Sequence, residues 1–226
     1  MEVKKIYHGS KDIIEKPIHG QGKVYNDYGL GFYCTEVKEM AMEWAVDRQR
    51  NGYANCYEVD CEGMKILNLC SEEYSMMHWL SILVQNRQFH CTTPLAREAK
   101  KYLKNTFYVD TDSYDIIEGY RADDSYFSFA QDFLNGMISY RQLCHAMKLG
   151  KLGLQIVMKS PRVFERIHFV GYQVAKAEEW YDKKQLRDQK ARSDYFHMDK
   201  AGWVRGDIYM PQILDEEMTA NDSRLR

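Results

Sequence analysis

The 226 residues carry 31 basic and 33 acidic side chains, a formal net charge of −2 at pH 7, with 45% hydrophobic and 13% aromatic residues. That is enough apolar material for one large core, or one domain with a helical appendage, and the near-neutral balance excludes an overall basic field that would hold nucleic acid through its phosphates. The six cysteines, Cys34, Cys56, Cys61, Cys70, Cys91 and Cys144, are scattered without a Cys-x-x-Cys pair or a Cys/His cluster at zinc spacing, and no apolar run reaches the ~18 residues of a membrane span.

Met1-Glu2-Val3-Lys4-Lys5-Ile6 lacks a signal-peptide pattern, so the chain reads as cytoplasmic with reduced thiols. A first strand is predicted over Val3 to His8, stopped by Gly9-Ser10, and Asp12 to Gly22 reads as loop. The next stretch, Val24-Tyr25-Asn26-Asp27-Tyr28-Gly29-Leu30-Gly31-Phe32-Tyr33-Cys34-Thr35, reads as the second strand. Its two glycines admit close approach of a ligand or another strand, and an aromatic β-forming run follows them. A helix is then expected from Glu36 to Arg50, with Thr35 as its N-cap and Met40, Ala41, Trp44, Ala45 and Arg48 at helical spacing. It should stop near Asn51-Gly52.

Ala54 to Val59 alternates with period two and Lys65 to Leu69 follows Gly63, which predicts two strands joined by a short turn. Ser71-Glu72-Glu73 opens a helix with Met76, Met77, Leu80, Leu83 and Val84 on its apolar face, and Thr93-Pro94 starts another over Leu95 to Leu103. Tyr114 to Ile117 reads as a short strand ended by Gly119, and Ser125 to Leu134 and Ser139 to Leu149 as two helices. Leu154 to Met158 is an apolar strand, and Val163 to Val170 holds a helical turn and a last strand. After Tyr172 the character changes: Lys176 to Lys200 is strongly charged, its run of Lys183, Lys184, Arg187, Lys190 and Arg192 reads as a solvated helix face, and Asp215 to Arg226 reads as a frayed end. Strands at both ends of the chain with helices between them require a sheet assembled from distant segments, which favours α+β over a doubly wound parallel sheet.

Tyr7-His8-Gly9-Ser10 and Tyr28-Gly29-Leu30-Gly31-Phe32-Tyr33 resemble the first two signature motifs of the ADP-ribosyltransferase superfamily of the diphtheria-toxin and poly(ADP-ribose) polymerase type. There, a strand carrying His-Gly is followed by a Gly-x-Gly-x-Tyr strand and a helix. The resemblance covers Ile6 to Val170 and is, more narrowly, to uncharacterised bacterial members, some encoded beside small partner genes as candidate toxins. It implies an α+β domain over residues 1–172 with a split, mainly antiparallel sheet and surrounding helices, to which the composition shift adds a charged helical extension over residues 173–226. It implies NAD as ADP-ribosyl donor without a metal. The activity implied is that of a mono-ADP-ribosyltransferase, acting on a protein or nucleic-acid acceptor with release of nicotinamide, in a toxin-type effector with a small neutralising partner and no membrane association.

By the same resemblance His8 orients the ribose by donating to a hydroxyl, the backbone of Gly9 binds the nicotinamide carboxamide and Tyr33 stacks on its ring, with Ser10, Thr35 and Trp44 as neighbours. The third motif, where the superfamily carries a glutamate, falls on Gln155, which can accept a ribose hydroxyl but brings no charge to an oxocarbenium-like sugar. Ahead of it Arg121 is placed to clamp a pyrophosphate, and Asp123 or Asp124 to act as base or charge stabiliser.

Each residue also has a plainer reading. His8 can be a satisfied strand-end histidine, Tyr33 a core aromatic, Trp44 part of an apolar helix stripe, and Asp123, Asp124 and Ser125 a helix cap. Two alternatives to the transferase therefore stand: an NAD glycohydrolase, and a catalytically inactive NAD-binding or protein-interaction module of the same fold. No Walker loop, Gly-x-Ser-x-Gly elbow or His-Glu-x-x-His occurs, and adjacent His90 and Cys91 lack an orienting third group.

Overall fold

A computed structural model describes residues 3–122, 124–149, 153–200 and 204–226. Strand β1 (Val3–Ser10) runs antiparallel to β3 (Gly52–Asp60), which takes β7 (Ile167–Ala175) on its other edge, so the first sheet has the order β1-β3-β7. The second sheet joins β2 (Phe32–Cys34), β6 (Gln155–Met158), β5 (Ile116–Gly119) and β4 (Ile66–Asn68) in the order β2-β6-β5-β4. Its β4–β5 pair is parallel and the rest antiparallel. The two inner strands β5 and β6 are buried on both faces, as their apolar runs require. The sheets meet at one bridge, where Tyr7 N–H donates to the Thr35 carbonyl at 2.7 Å and Thr35 N–H to the Tyr7 carbonyl at 3.0 Å. An ion pair between Lys4 and Glu118 ties them a second time.

Helix α1 (Lys38–Ala45) lies with its backbone against the first sheet. A Cβ on Gly9 would stand 2.0 Å from the Ala41 carbonyl oxygen, so only glycine permits this approach. The main core is built around α2 (Met76–Asn86), α3 (Pro94–Thr106), α4 (Asp124–Leu134) and α5 (Tyr140–Ala146), with Trp79, Tyr126, Phe129 and Phe133 buried among them. Capping side chains fix where three of these helices begin: Ser75 forms a capping box with His78, Thr93 accepts from Ala96 N–H, and Ser139 forms a box with Gln142. Helix α6 (Pro161–Phe164) is a single turn before β7, and α7 (Ala177–Lys200) and α8 (Met210–Asp215) complete eight α-helices among the described residues.

The architecture is α+β, as the order of elements predicts, with one antiparallel and one mixed sheet. Four local expectations are corrected. Only Phe32–Cys34 of the second predicted strand is a strand, because residues 24–31 turn: Gly29 holds φ 72° and donates to the Asn26 carbonyl at 3.0 Å. The helix predicted over Glu36 to Arg50 shortens to Lys38–Ala45. Thr35 sits in the inter-sheet bridge, its Oγ1 accepting from Val37 N–H, and a Cβ on Gly52 would stand 2.0 Å from the Ala45 carbonyl oxygen, so the chain must leave the helix to enter β3 there.

The strands β3 and β4 do not pair; the turn at Cys61–Met64 carries the chain from one sheet to the other, and both edges of β3 are taken by β1 and β7. The predicted frayed end is packed: Leu225 and Met218 are buried, Tyr140 Oη donates to the Leu225 carbonyl at 2.7 Å and Tyr102 Oη to that of Met218 at 2.9 Å. Helix α7 is anchored too, by the buried Ala191, by Tyr195 stacked on Phe129 with ring centroids 3.8 Å apart, and by Arg187 Nε donating to Glu43 at 2.7 Å. No helix among the described residues is long and apolar enough to cross a membrane.

Candidate functional site

The bridge between Tyr7 and Thr35 is where the sheets part, and the opening beside it widens into a cleft of about 590 Å³. In an antiparallel ladder a residue's N–H and C=O point to one side and alternate along the strand. Gly9 stands two residues beyond Tyr7, so its N–H and C=O aim the same way as those that reach Thr35, into the opening.

His8 and Tyr33 hold the opening in shape. His8 Nδ1 lies 2.7 Å from the Tyr33 carbonyl oxygen, and since a carbonyl only accepts, Nδ1 carries the proton. Burial pushes the imidazole below its ordinary pKa, with the bond to Tyr33 pulling the other way, so the ring is neutral at pH 7 and Nε2 bears a lone pair. His8 is therefore an acceptor toward the cleft, not the donor that the resemblance implies. Its ring packs on Phe32 with centroids 4.4 Å apart.

The Tyr33 hydroxyl is consumed by the turn before it. It donates to the Gly29 carbonyl at 2.5 Å and accepts from Tyr28 N–H at 3.1 Å, leaving the ring as the part that lines the cleft. Burial raises this phenol far above its ordinary pKa, so it stays protonated and cannot act as a base. Gly31 completes the turn against β6, where a Cβ would meet Val157 Cγ1 at 2.5 Å.

Across from them, the Arg121 guanidinium carbon lies 3.7 Å from the centroid of the Trp44 ring, and both side chains line the cleft. Gln155, at the start of β6 opposite Gly119, is 8% exposed and also lines it. Two buried polar atoms here, Trp44 Nε1 and Gln155 Oε1, find no hydrogen-bond partner among the described residues. A buried polar atom left so costs about 1–3 kcal/mol, and here both belong to side chains that line the cleft.

The cleft thus gathers His8, Gly9, Tyr33, Trp44, Arg121 and Gln155 from separate stretches of the chain. Ser10 and Thr35 are not among its lining residues. Asn55 Nδ2 donates to Ser10 Oγ at 3.0 Å, which pins the loop after β1, and Thr35 is wholly buried in the inter-sheet bridge. Asp123 lies outside the described residues. Sequence reading missed Asp27 and Arg87: Asp27 Oδ1 accepts from Arg87 at 3.1 Å and Oδ2 from Ala122 N–H at 2.8 Å, which seats the segment after β5 on the cleft floor. It also missed Lys184, Arg187 and Arg192 of α7, taken as a solvated face, which form a wall. The spacing of Lys184, Asp188 and Arg192, four residues apart, was the available signal.

Among the described residues, lysines and arginines on the cleft number six, Lys23, Arg87, Arg121, Lys184, Arg187 and Arg192, against the two carboxylates of Asp27 and Asp188. The site is cationic in a chain whose net charge is −2, so it suits an anion. No group of histidine, cysteine and carboxylate side chains that could hold a metal ion occurs among the described residues.

Neither a curated protein nor a solved structure matches the chain. A family model described as "Protein of unknown function (DUF3990)" matches residues 4–169, from β1 into β7. With well over half of its length in that match, the chain belongs to this family.

Proposed function

We propose that the cleft binds NAD and that the protein is a mono-ADP-ribosyltransferase of the split-sheet ADP-ribosyltransferase fold, passing ADP-ribose to a macromolecular acceptor. The observation that carries this reading is the meeting, in one cationic cleft, of His8, Gly9, Tyr33, Trp44, Arg121 and Gln155. The two unpartnered buried atoms, Trp44 Nε1 and Gln155 Oε1, fit a ligand with hydroxyl and carboxamide groups. NAD supplies the bond between nicotinamide and ribose, whose cleavage leaves an oxocarbenium-like sugar.

The chain's residues divide the remaining work. Gly9 offers backbone N–H and C=O to a carboxamide, and the Tyr33 ring offers a flat face whose position is fixed by its bound hydroxyl. His8 Nε2 and Gln155 Oε1 accept from ribose hydroxyls and orient the sugar. A toxin-type effector restrained by a small partner protein is the cellular role that fits this activity.

A second reading, NAD binding without turnover, is favoured by one observation. The described carboxylates on the cleft are each held by an arginine, Asp27 by Arg87 and Asp188 by Arg192, and Gln155 is neutral, so the developing positive charge meets little compensation. Nicotinamide release from NAD by the wild type, His8→Ala and Gln155→Glu proteins, with and without cell lysate, separates the readings. Release that needs both His8 and lysate is the result expected of a transferase. Release without lysate marks a glycohydrolase, activity gained only by Gln155→Glu marks a disarmed site, and no release with no NAD binding overturns the reading.

A further inference from the structure

Helix α7 lies wholly beyond residues 4–169, yet it forms one wall of the cleft through Lys184, Gln185, Arg187, Asp188 and Arg192. Residues 184, 188 and 192 follow one another along a single stripe of the helix. The neighbouring stripe is the docked one, where Ala191 is fully buried and Arg187 reaches the buried Glu43 of α1. The cationic face is therefore held in place by packing and not left to a loose tail.

We propose that α7 is the phosphate-binding wall of the site, with Lys184, Arg187 and Arg192 receiving the diphosphate of the dinucleotide; this rests on the NAD reading above. Away from α7, Tyr33 and Gln155 present uncharged groups to the cleft, and Arg121, stacked on Trp44, adds a cation there. Three of the six cations on the cleft come from α7, against one carboxylate from the same helix, so much of the positive field comes from this helix. One of the three is held ready: Arg187 Nε donates to the buried Glu43 at 2.7 Å, while the more exposed Arg192 Nε donates to Asp188 at 2.9 Å along the helix. Lys184, half-buried beside them, makes no ion pair among the described residues. Arginine and lysine are the side chains that grip phosphate oxygens, and their charge brings a salt dependence that uncharged ligands lack.

The test is calorimetric titration of the full chain with NAD, ADP-ribose and nicotinamide, comparing wild type with the double variant Lys184→Glu/Arg192→Glu and with Lys184→Arg/Arg192→Lys. The charge-reversed protein should bind NAD and ADP-ribose at least ~10-fold more weakly while its affinity for nicotinamide is unchanged, and the charge-preserving one should stay within about 3-fold of wild type. Equal thermal midpoints for the three proteins tie the loss to charge and not to unfolding. NAD binding by the wild type that is as tight in the charge-reversed variant overturns the role of α7 alone. A wild type that binds none of the three ligands overturns the NAD reading and this inference with it.

Discussion

His8 Nδ1 and the carbonyl oxygen of Tyr33 are joined by a hydrogen bond of 2.7 Å between strands of two different sheets, beside the point where those sheets separate. The bond fixes the tautomer of His8, and with it the sign of what the imidazole can offer a ligand.

Replacing His8 should separate its two duties. His8→Ala leaves the Tyr33 carbonyl unpaired beside the cleft and should cost about 1–3 kcal/mol of stability. His8→Asn places an amide donor near the position of Nδ1 and should recover most of that loss, but it supplies nothing at Nε2. Urea midpoints should thus rank wild type and Asn above Ala, whereas NAD binding should fall in both variants.

Acidification should act through the same ring. The folded pKa of His8 is lowered by burial, so the unfolded state binds the proton more readily and stability present above about pH 6.5 is lost as pH falls from there toward the lower folded value. His78, also lowered chiefly by burial, adds to the loss in the same window. The lowered carboxyls, such as Asp115 with its bond from Ser160, contribute only further down, below about pH 4. Thermal midpoints measured between pH 7.5 and 5 should fall, and the fall should be shallower in His8→Asn; a flat profile across that range would contradict the neutral imidazole at the cleft.

Gly9→Ala tests whether this glycine serves the helix. The new methyl would be forced against the Ala41 carbonyl oxygen and Trp44 Cβ, both backbone or near-backbone atoms that cannot swing aside. Overpacking of this kind should cost about 3 kcal/mol, seen as a lower urea midpoint before any ligand is added.

Tyr33→Phe keeps the ring and removes the hydroxyl that the Tyr28–Gly29 turn uses twice. A stability loss of about 1–2 kcal/mol with NAD affinity within several-fold of wild type is expected. Tyr33→Leu, without the flat face, should lose NAD binding outright.

Glu43→Ala removes the buried carboxylate that holds Arg187 and should cost about 3 kcal/mol, the loss expected when one member of a mostly buried pair is deleted. Glu43→Ala/Arg187→Leu should recover part of it, because the arginine that has lost its carboxylate is replaced by an apolar side chain at the α1–α7 contact. Hydrogen exchange of the α7 amides is the readout: faster in the single variant, closer to wild type in the double one.

The sequence revealed elements better than their partners. The strand-and-helix order and the apolar strand before Met158 are legible because period and turn chemistry are local properties. What failed was long-range. The Ala54–Val59 and Lys65–Leu69 segments look like a hairpin because nothing local reveals that β3 already has a neighbour on each edge. His8, Gly9 and Tyr33 stand together in the sequence only through the resemblance of their two motifs to the ADP-ribosyltransferase superfamily, and the fold brings all three to one cleft. Their geometry was not legible, since the tautomer of His8 depends on a carbonyl that only the fold brings within reach. Arg87 had no distinguishing signal, and the α7 cations had only their four-residue spacing, because a charged residue on a cleft and one in open solvent are written with the same letters.

The placement of β6 also has a consequence for how the chain comes off the ribosome. β6 is the strand that joins β2 to β5, yet it lies near residue 156 while β2 ends at Cys34. At roughly 5–20 residues per second, β2 waits on the order of ten seconds for its partner, with an apolar edge open the whole time. The first helices can settle during that interval through local contacts, whereas the second sheet cannot close until its middle strand is made. A chain that pauses before β6 therefore has most of the lining of its cleft already synthesised while the second sheet that carries Tyr33 is still open.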